Sequence, residues 1–75
     1  MFKKINIGQE LCDEMKRQNL SVRKVAKEFN IDRNCIYRIF RKKSIDTDRL
    51  YQFSVMLKRD FFKLYSDNLE DKSAA

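Results

Sequence analysis

The segment Ser21–Lys43, SVRKVAKEFNIDRNCIYRIFRKK, constrains the fold most, because two short helical patterns meet in it across a turn of fixed length. Val22, Val25, Ala26 and Phe29 recur at i, i+3, i+4 and i+7, which puts apolar side chains on one face of an α-helix, and Ser21 stands at the N-cap position. Lys24, Lys27 and Glu28 fall on the other faces. The pattern breaks at Asn30-Ile31-Asp32, where Asn tolerates a left-handed backbone and Asp can accept from the free N–H groups of a following helix. The spacing predicts that second helix over Arg33–Arg41, with Ile36, Ile39 and Phe40 turned inward.

Ala26 falls where the second helix crosses the first, a place that needs a small side chain. Val25, Phe29, Ile31, Ile36 and Ile39 fall where the space between two steeply crossing helices must be filled. This is the arrangement of a helix-turn-helix. From about Ile7 to Leu64 the chain resembles the lambda-repressor and Cro-like family of DNA-binding domains, the xenobiotic-response-element class. It departs from that family in the turn, where Asn30 stands in place of a frequent Gly; Asn is the next best residue for positive φ.

With Ile36, Ile39 and Phe40 inward, Arg33, Asn34, Tyr37, Arg38 and Arg41 face solvent on the other side of the same helix. Between Arg33 and Lys43 there are five cationic residues and no acidic one. A helix entering a major groove needs such a face, because Arg can read guanine bidentately, Asn can read adenine, and Lys and Arg neutralise phosphates. The resemblance implies that Arg33, Asn34, Tyr37 and Arg38 read bases, while Ser21, Arg23, Arg41, Lys42 and Lys43 hold phosphates. A solvated basic face with no partner is the plainer alternative.

Seventy-five residues allow one domain, near the lower limit for a self-sufficient core. One Gly and no Pro in a chain that is 43% hydrophobic argue for short, closely connected helices. The expected fold is all-α, a compact four-to-five-helix bundle of lambda-repressor-like type over residues 1–66, followed by a disordered polar tail over 67–75. No segment approaches the roughly 20 apolar residues of a membrane span and no signal-peptide run begins the chain, so a cytoplasmic protein is expected. The net charge of +6 is uneven: residues 1–45 carry 12 basic and 5 acidic residues, and residues 46–75 carry 5 and 6. Neutralising phosphates releases condensed counterions, so the polyanion-binding surface is expected in the N-terminal part.

Around the central pair, Met1–Asn6 reads as a basic arm. A first helix is expected over Ile7–Gln18, with Ile7, Leu11 and Met15 inward, Glu10, Asp13, Glu14, Lys16 and Arg17 outside, and Asn19 closing it. The helix reads as structural, closing the back of the motif, with a phosphate contact through the free N–H groups of its N-terminus as the alternative. Asp46 is the expected N-cap of a helix reaching Leu57, stapled by Ile45 and Leu50, with Leu50, Phe53 and Leu57 inward. Asp60 then caps a short helix over Phe61–Tyr65. That helix carries more apolar surface than so small a domain can easily hide, so part of it is expected in the core and part at an interface: Phe61, Leu64 and Tyr65 finish the core, or Phe61, Phe62 and Tyr65 are candidate interface residues.

Cys12 and Cys35 fit no zinc spacing and the chain has no His, so no metal or other cofactor is expected. Without His, a Gly-rich phosphate loop or paired carboxylates, the usual constellations of catalysis are missing too. Three functions remain. The first is a sequence-specific DNA-binding regulator, in the manner of a small repressor, acting on double-stranded DNA as a homodimer. The second is a protein-interaction module, such as a DNA-binding antitoxin or an anti-repressor, working through its last helix with a protein partner. The third is a charge-driven binder indifferent to sequence.

Overall fold

A computed structural model describes the backbone of residues 4–73 and the side chains of residues 4–69. Five helices follow one another, α1 (Ile7–Arg17), α2 (Val22–Phe29), α3 (Arg33–Phe40), α4 (Thr47–Leu57) and α5 (Lys63–Ser73), with no strand among the described residues. None of these helices is long and apolar enough to cross a membrane. The first part of the expected basic arm, Met1–Lys3, and the last residues of the expected tail, Ala74–Ala75, lie outside the described residues.

Polar side chains set the helix starts. Asn6, Ser21, Asp32 and Asp46 each accept a backbone N–H of the turn they precede, from Gln9 (3.3 Å), Lys24 (3.1 Å), Asn34 (3.3 Å) and Arg49 (2.9 Å). Three helices close in one way, with a residue at positive φ behind a pair of backbone bonds. After α1, Asn19 (φ 56°) allows Leu20 N–H to reach Met15 O at 2.9 Å and Asn19 N–H to reach Lys16 O at 3.1 Å. After α2, Asn30 (φ 57°) allows the same for Ile31 to Ala26 (3.0 Å) and Asn30 to Lys27 (3.1 Å). Lys58 (φ 55°) does this after α4, although a side chain there is strained by about 1–2 kcal/mol, which the two bonds it permits offset.

The core gathers one face of each of the first four helices: Ile7, Leu11 and Met15, then Val25 and Ala26, Ile36 and Ile39, Leu50, Phe53 and Leu57. Phe29 closes it edge-on to Phe53, with ring centroids 4.9 Å apart. Phe61 is fully buried in the same cluster, so of the two roles open to it from the sequence the core is the one it takes. Its N–H donates to Ser54 Oγ at 3.4 Å, and that hydroxyl donates to Leu50 O at 2.9 Å, so the chain beyond α4 is pulled back onto the domain.

Three local expectations differ from the structure. The last helix begins at Lys63, two residues late, because Phe61 and Phe62 form a turn whose carbonyls accept from Leu64 and Tyr65; Asp60 contributes its backbone carbonyl to Lys63 N–H at 3.2 Å. With no Gly or Pro to stop it, and with Lys63 paired to Asp67 at 3.6 Å, the helix runs on to Ser73 instead of stopping at Tyr65. Residues 67–73 of the expected tail are therefore helical. Glu14, expected outside on α1, is 4% exposed and is buried in a polar cluster.

That cluster ties α1 to the linker before α5. Glu14 accepts from Arg17 and from Gln18 Nε2 (2.7 Å), and its other oxygen accepts from Arg59 Nη1 at 3.0 Å. Gln18 donates also to Leu57 O at 2.7 Å, and Arg59 lies over the Phe61 ring, 4.9 Å from its centroid. The Arg17 guanidinium above all, with the Gln18 amide, holds the Glu14 carboxyl down to about 2 in spite of its burial; Arg59 adds to the same effect.

Candidate nucleic-acid interface

Helix α3 is held from two sides. Its buried residues Ile36 and Ile39 pack into the core beneath α2 and α1, and its C-terminal end is clamped by the start of α1. Ile7 N–H donates to Lys43 O at 3.0 Å and Gly8 N–H to Lys42 O at 2.9 Å. Gly8 makes this approach possible: a Cβ there would lie 2.5 Å from the carbonyl oxygens of Ile39 and Phe40 and closer still to that of Lys42.

The clamp also corrects an expectation. With Gln9 N–H on the Asn6 side chain and Glu10 N–H on Asn6 O at 3.1 Å, all four N–H groups of the first turn of α1 already have acceptors. None is free for a phosphate.

Asn34, Tyr37, Arg38 and Arg41 recur at i, i+3, i+4 and i+7, and in the folded chain they line one shallow groove on the outer side of α3. Tyr37 is half-exposed and braced edge-on against Phe40, with centroids 6.3 Å apart. A second groove runs along the other flank of α3, between it and the start of α4. Cys35, Arg38, Lys42 and Arg49 line it together with Asp46, whose carboxylate is engaged in capping α4. Arg38 is common to both grooves. Among the described residues no carboxylate forms an ion pair with Arg33, Arg38, Arg41, Lys42 or Lys43.

The structure thus brings together three of the four residues expected to read bases, and adds Arg41, expected to hold a phosphate. Arg33 is exposed at the first position of α3 but lines neither groove. Lys43 is exposed in the following loop, its carbonyl fixed by Ile7 and its side chain free of that bond. Ser21 and Arg23 are exposed at the start of α2, and the Ser21 hydroxyl oxygen is already accepting from Lys24 N–H. Phe62 and Tyr65 are exposed on the far part of the chain.

Arg49 escaped the sequence reading. Its guanidinium sits 5.5 Å from the centroid of Phe29 and donates to Gln52 Oε1 at 2.8 Å, so it is oriented before any ligand arrives. A cation three residues after an N-cap is an ordinary sight, and only the return of α4 beside α3 brings it into the lining of this groove. Cys35 is half-buried among these cations, and Cys12 is half-buried on α1; both are free thiols.

The arrangement can do two things chemically. Its guanidinium forks and the Asn amide can form paired hydrogen bonds to flat acceptor and donor edges, and its lysines can neutralise phosphates at the margins. Compared with known proteins, the chain matches no family model, no curated protein and no solved structure. Its function has to be read from these residues.

Proposed function

We propose that this chain is a sequence-specific DNA-binding regulator of helix-turn-helix type, in the manner of the lambda-repressor and Cro-like domains, with α3 as the helix that enters a major groove. The observation that carries this reading is the convergence of Asn34, Tyr37, Arg38 and Arg41 on one exposed groove of α3, while Ile36 and Ile39 bury the opposite side. The three-residue connection from α2 to α3, closed by Asn30 at positive φ and restarted by the Asp32 cap, is the kind of rigid turn that a reading helix needs. In this reading Asn34, Tyr37 and Arg38 contact base edges. Arg41, Lys42, Lys43 and Arg49 hold backbone phosphates beside them, with Ser21, Arg23 and Arg33 as more distant contacts.

A module of this size touches few base pairs, so two copies on half-sites about one helical turn apart (~34 Å) are required for a useful site. Arg38→Ala is expected to cost about 1–3 kcal/mol on the preferred duplex and to relax base preference, because a bidentate base contact is lost. Lys43→Ala should weaken all duplexes alike and flatten the logarithmic salt dependence by about one unit. Titrating both variants against the preferred and a scrambled duplex at several salt concentrations separates these roles; equal losses on both duplexes for Arg38→Ala would remove it from base reading.

The exposed apolar residues Phe62, Tyr65 and Leu69 favour a second reading, a protein-interaction module that holds a toxin or another regulator through α5. It predicts a stoichiometric protein partner lost on Phe62→Asp, with DNA affinity unchanged.

A further inference from the structure

We infer that Gln52, seconded by Phe29, is a positioning residue of the interface: it holds the Arg49 guanidinium in place for a backbone phosphate without neutralising its charge. The inference rests on the DNA-binding reading and deepens it, since it separates the residue that makes a contact from the residues that aim it.

Arg38, Lys42 and Arg49 line the groove between α3 and α4, and they are held differently. Arg38 and Lys42 are exposed, whereas Arg49 is half-buried and has fixed partners. Its Nη1 donates to Gln52 Oε1 at 2.8 Å, one turn further along α4, and its guanidinium carbon lies 5.5 Å from the centroid of the Phe29 ring. That ring is itself set edge-on against the fully buried Phe53, with 4.9 Å between centroids, so the platform under Arg49 is braced by the core. Three helices thus converge on one side chain: α4 carries Arg49 and Gln52, α2 supplies Phe29, and α3 forms the opposite wall of the groove.

What holds Arg49 is neutral. Elsewhere in the chain guanidinium groups are fixed by carboxylates, Arg17 by Glu14 and Arg59 by Glu14 and Glu10, and those charges are taken up by the fold. An amide oxygen and an aromatic face orient a guanidinium and leave it a full positive charge. Among the described residues no carboxylate pairs with the Arg49 side chain. The carboxylate of Asp46, in the same groove, accepts the Arg49 backbone N–H at 2.9 Å as the cap of α4. A guanidinium has five N–H donors, so the bond to Gln52 leaves donors for the oxygens of a phosphate. A long side chain that is ordered beforehand loses less freedom when the phosphate arrives, and that difference is what Gln52 contributes.

The test titrates a mixed-sequence duplex with the full chain over a range of salt, for the parent, Gln52→Ala, Gln52→Glu, Arg49→Ala and the double variant Arg49→Ala/Gln52→Ala. Gln52→Ala is expected to weaken binding about two- to tenfold with the logarithmic salt slope unchanged, because the charge remains and only its order is lost. Arg49→Ala should lower the slope by about one unit, and Gln52→Glu should lower it toward the same value, since a carboxylate in that place competes with the phosphate. Once Arg49 is gone, Gln52→Ala should cost nothing further. A readout without DNA accompanies these: NMR relaxation of the Arg49 Nε–H, which becomes more mobile in Gln52→Ala. Gln52 is exposed, so its variants fold, and a loss caused by misfolding would show equally with and without Arg49. Gln52→Ala binding as the parent does, weakening it equally in both backgrounds, or leaving Arg49 equally ordered overturns the inference alone. Phosphates are the same in every duplex, so failure to find a preferred site does not bear on it, whereas a parent that binds no duplex overturns the DNA-binding reading and this inference together.

Discussion

Gly8→Ala is expected to destabilise the protein by about 1–3 kcal/mol or more, which for a domain of this size lowers the melting temperature by roughly 5–20 °C. Helix propensity alone points the other way, since Ala is favoured over Gly by about 0.5–1 kcal/mol inside a helix. The clash decides the sign. An added Cβ at position 8 meets three backbone carbonyl oxygens at the end of α3, and backbone held in a helix terminus cannot turn aside as a flexible side chain can. To make room, α1 must lift away from the loop, and the bonds from Ile7 to Lys43 and from Gly8 to Lys42 are strained or lost. Thermal unfolding followed by circular dichroism measures the effect; a variant as stable as the parent would show that the two segments are not clamped. Any Gly8→Ala protein that still folds should also bind DNA less well, because the displaced loop carries Lys42 and Lys43.

The second large effect concerns acid. Glu14 has its carboxyl lowered from an ordinary 4.5 to about 2, first by Arg17 and then by Gln18, against the opposing effect of burial. A group whose folded value is depressed contributes its stabilisation above the unfolded value, and loses it as pH falls through the folded one. The contribution is therefore complete above about pH 4.5 and gone near pH 2. The shift corresponds to at most about 3 kcal/mol, and less in practice, because the Arg17 partner is largely exposed and screened by solvent. Urea unfolding between pH 7 and pH 2.5 or so should show the parent losing stability across that window. Glu14→Gln is expected to start lower at pH 7 and to fall less steeply. Parallel curves for the two proteins would mean that Glu14 gains nothing from Arg17, Gln18 and Arg59.

These two residues also mark where the sequence could be read and where it could not. The α2–turn–α3 unit was legible because its signals are local: apolar residues at helical spacing, an Asn that accepts positive φ, and an Asp that caps the second helix. The start of α4 was legible for the same reason, through Asp46. Gly8 was not, because its partners are the carbonyls of Ile39, Phe40 and Lys42, more than thirty residues away. The only hint was a lone Gly placed inside a helix, where it is unfavourable unless something approaches closely.

Glu14 carried a stronger hint. It falls at i+7 from Ile7 and i+3 from Leu11, on the inward stripe of α1, and its charge outweighed its position; its burial is offset by Arg17 and Gln18 close by in sequence and by Arg59, which arrives from beyond the end of α4. The last helix was misjudged in the opposite sense. Phe61 and Phe62 are adjacent and chemically alike, yet the turn before α5 sends the first into the core and leaves the second at the surface. Of the candidate site, the face of α3 followed from periodicity alone. The grooves on either side of it, and the place of Arg49 in one of them, depend on how α4 returns.

The measurement closest to the central claim is selection of bound duplexes from a random-sequence library at near-physiological salt. The account predicts an enriched palindromic site with half-sites about one helical turn apart, bound by two chains, and lost from the selection when Arg38 is replaced by Ala. No enriched sequence, with binding that fades uniformly as salt rises, would contradict base reading by α3 and leave only a contact made by charge.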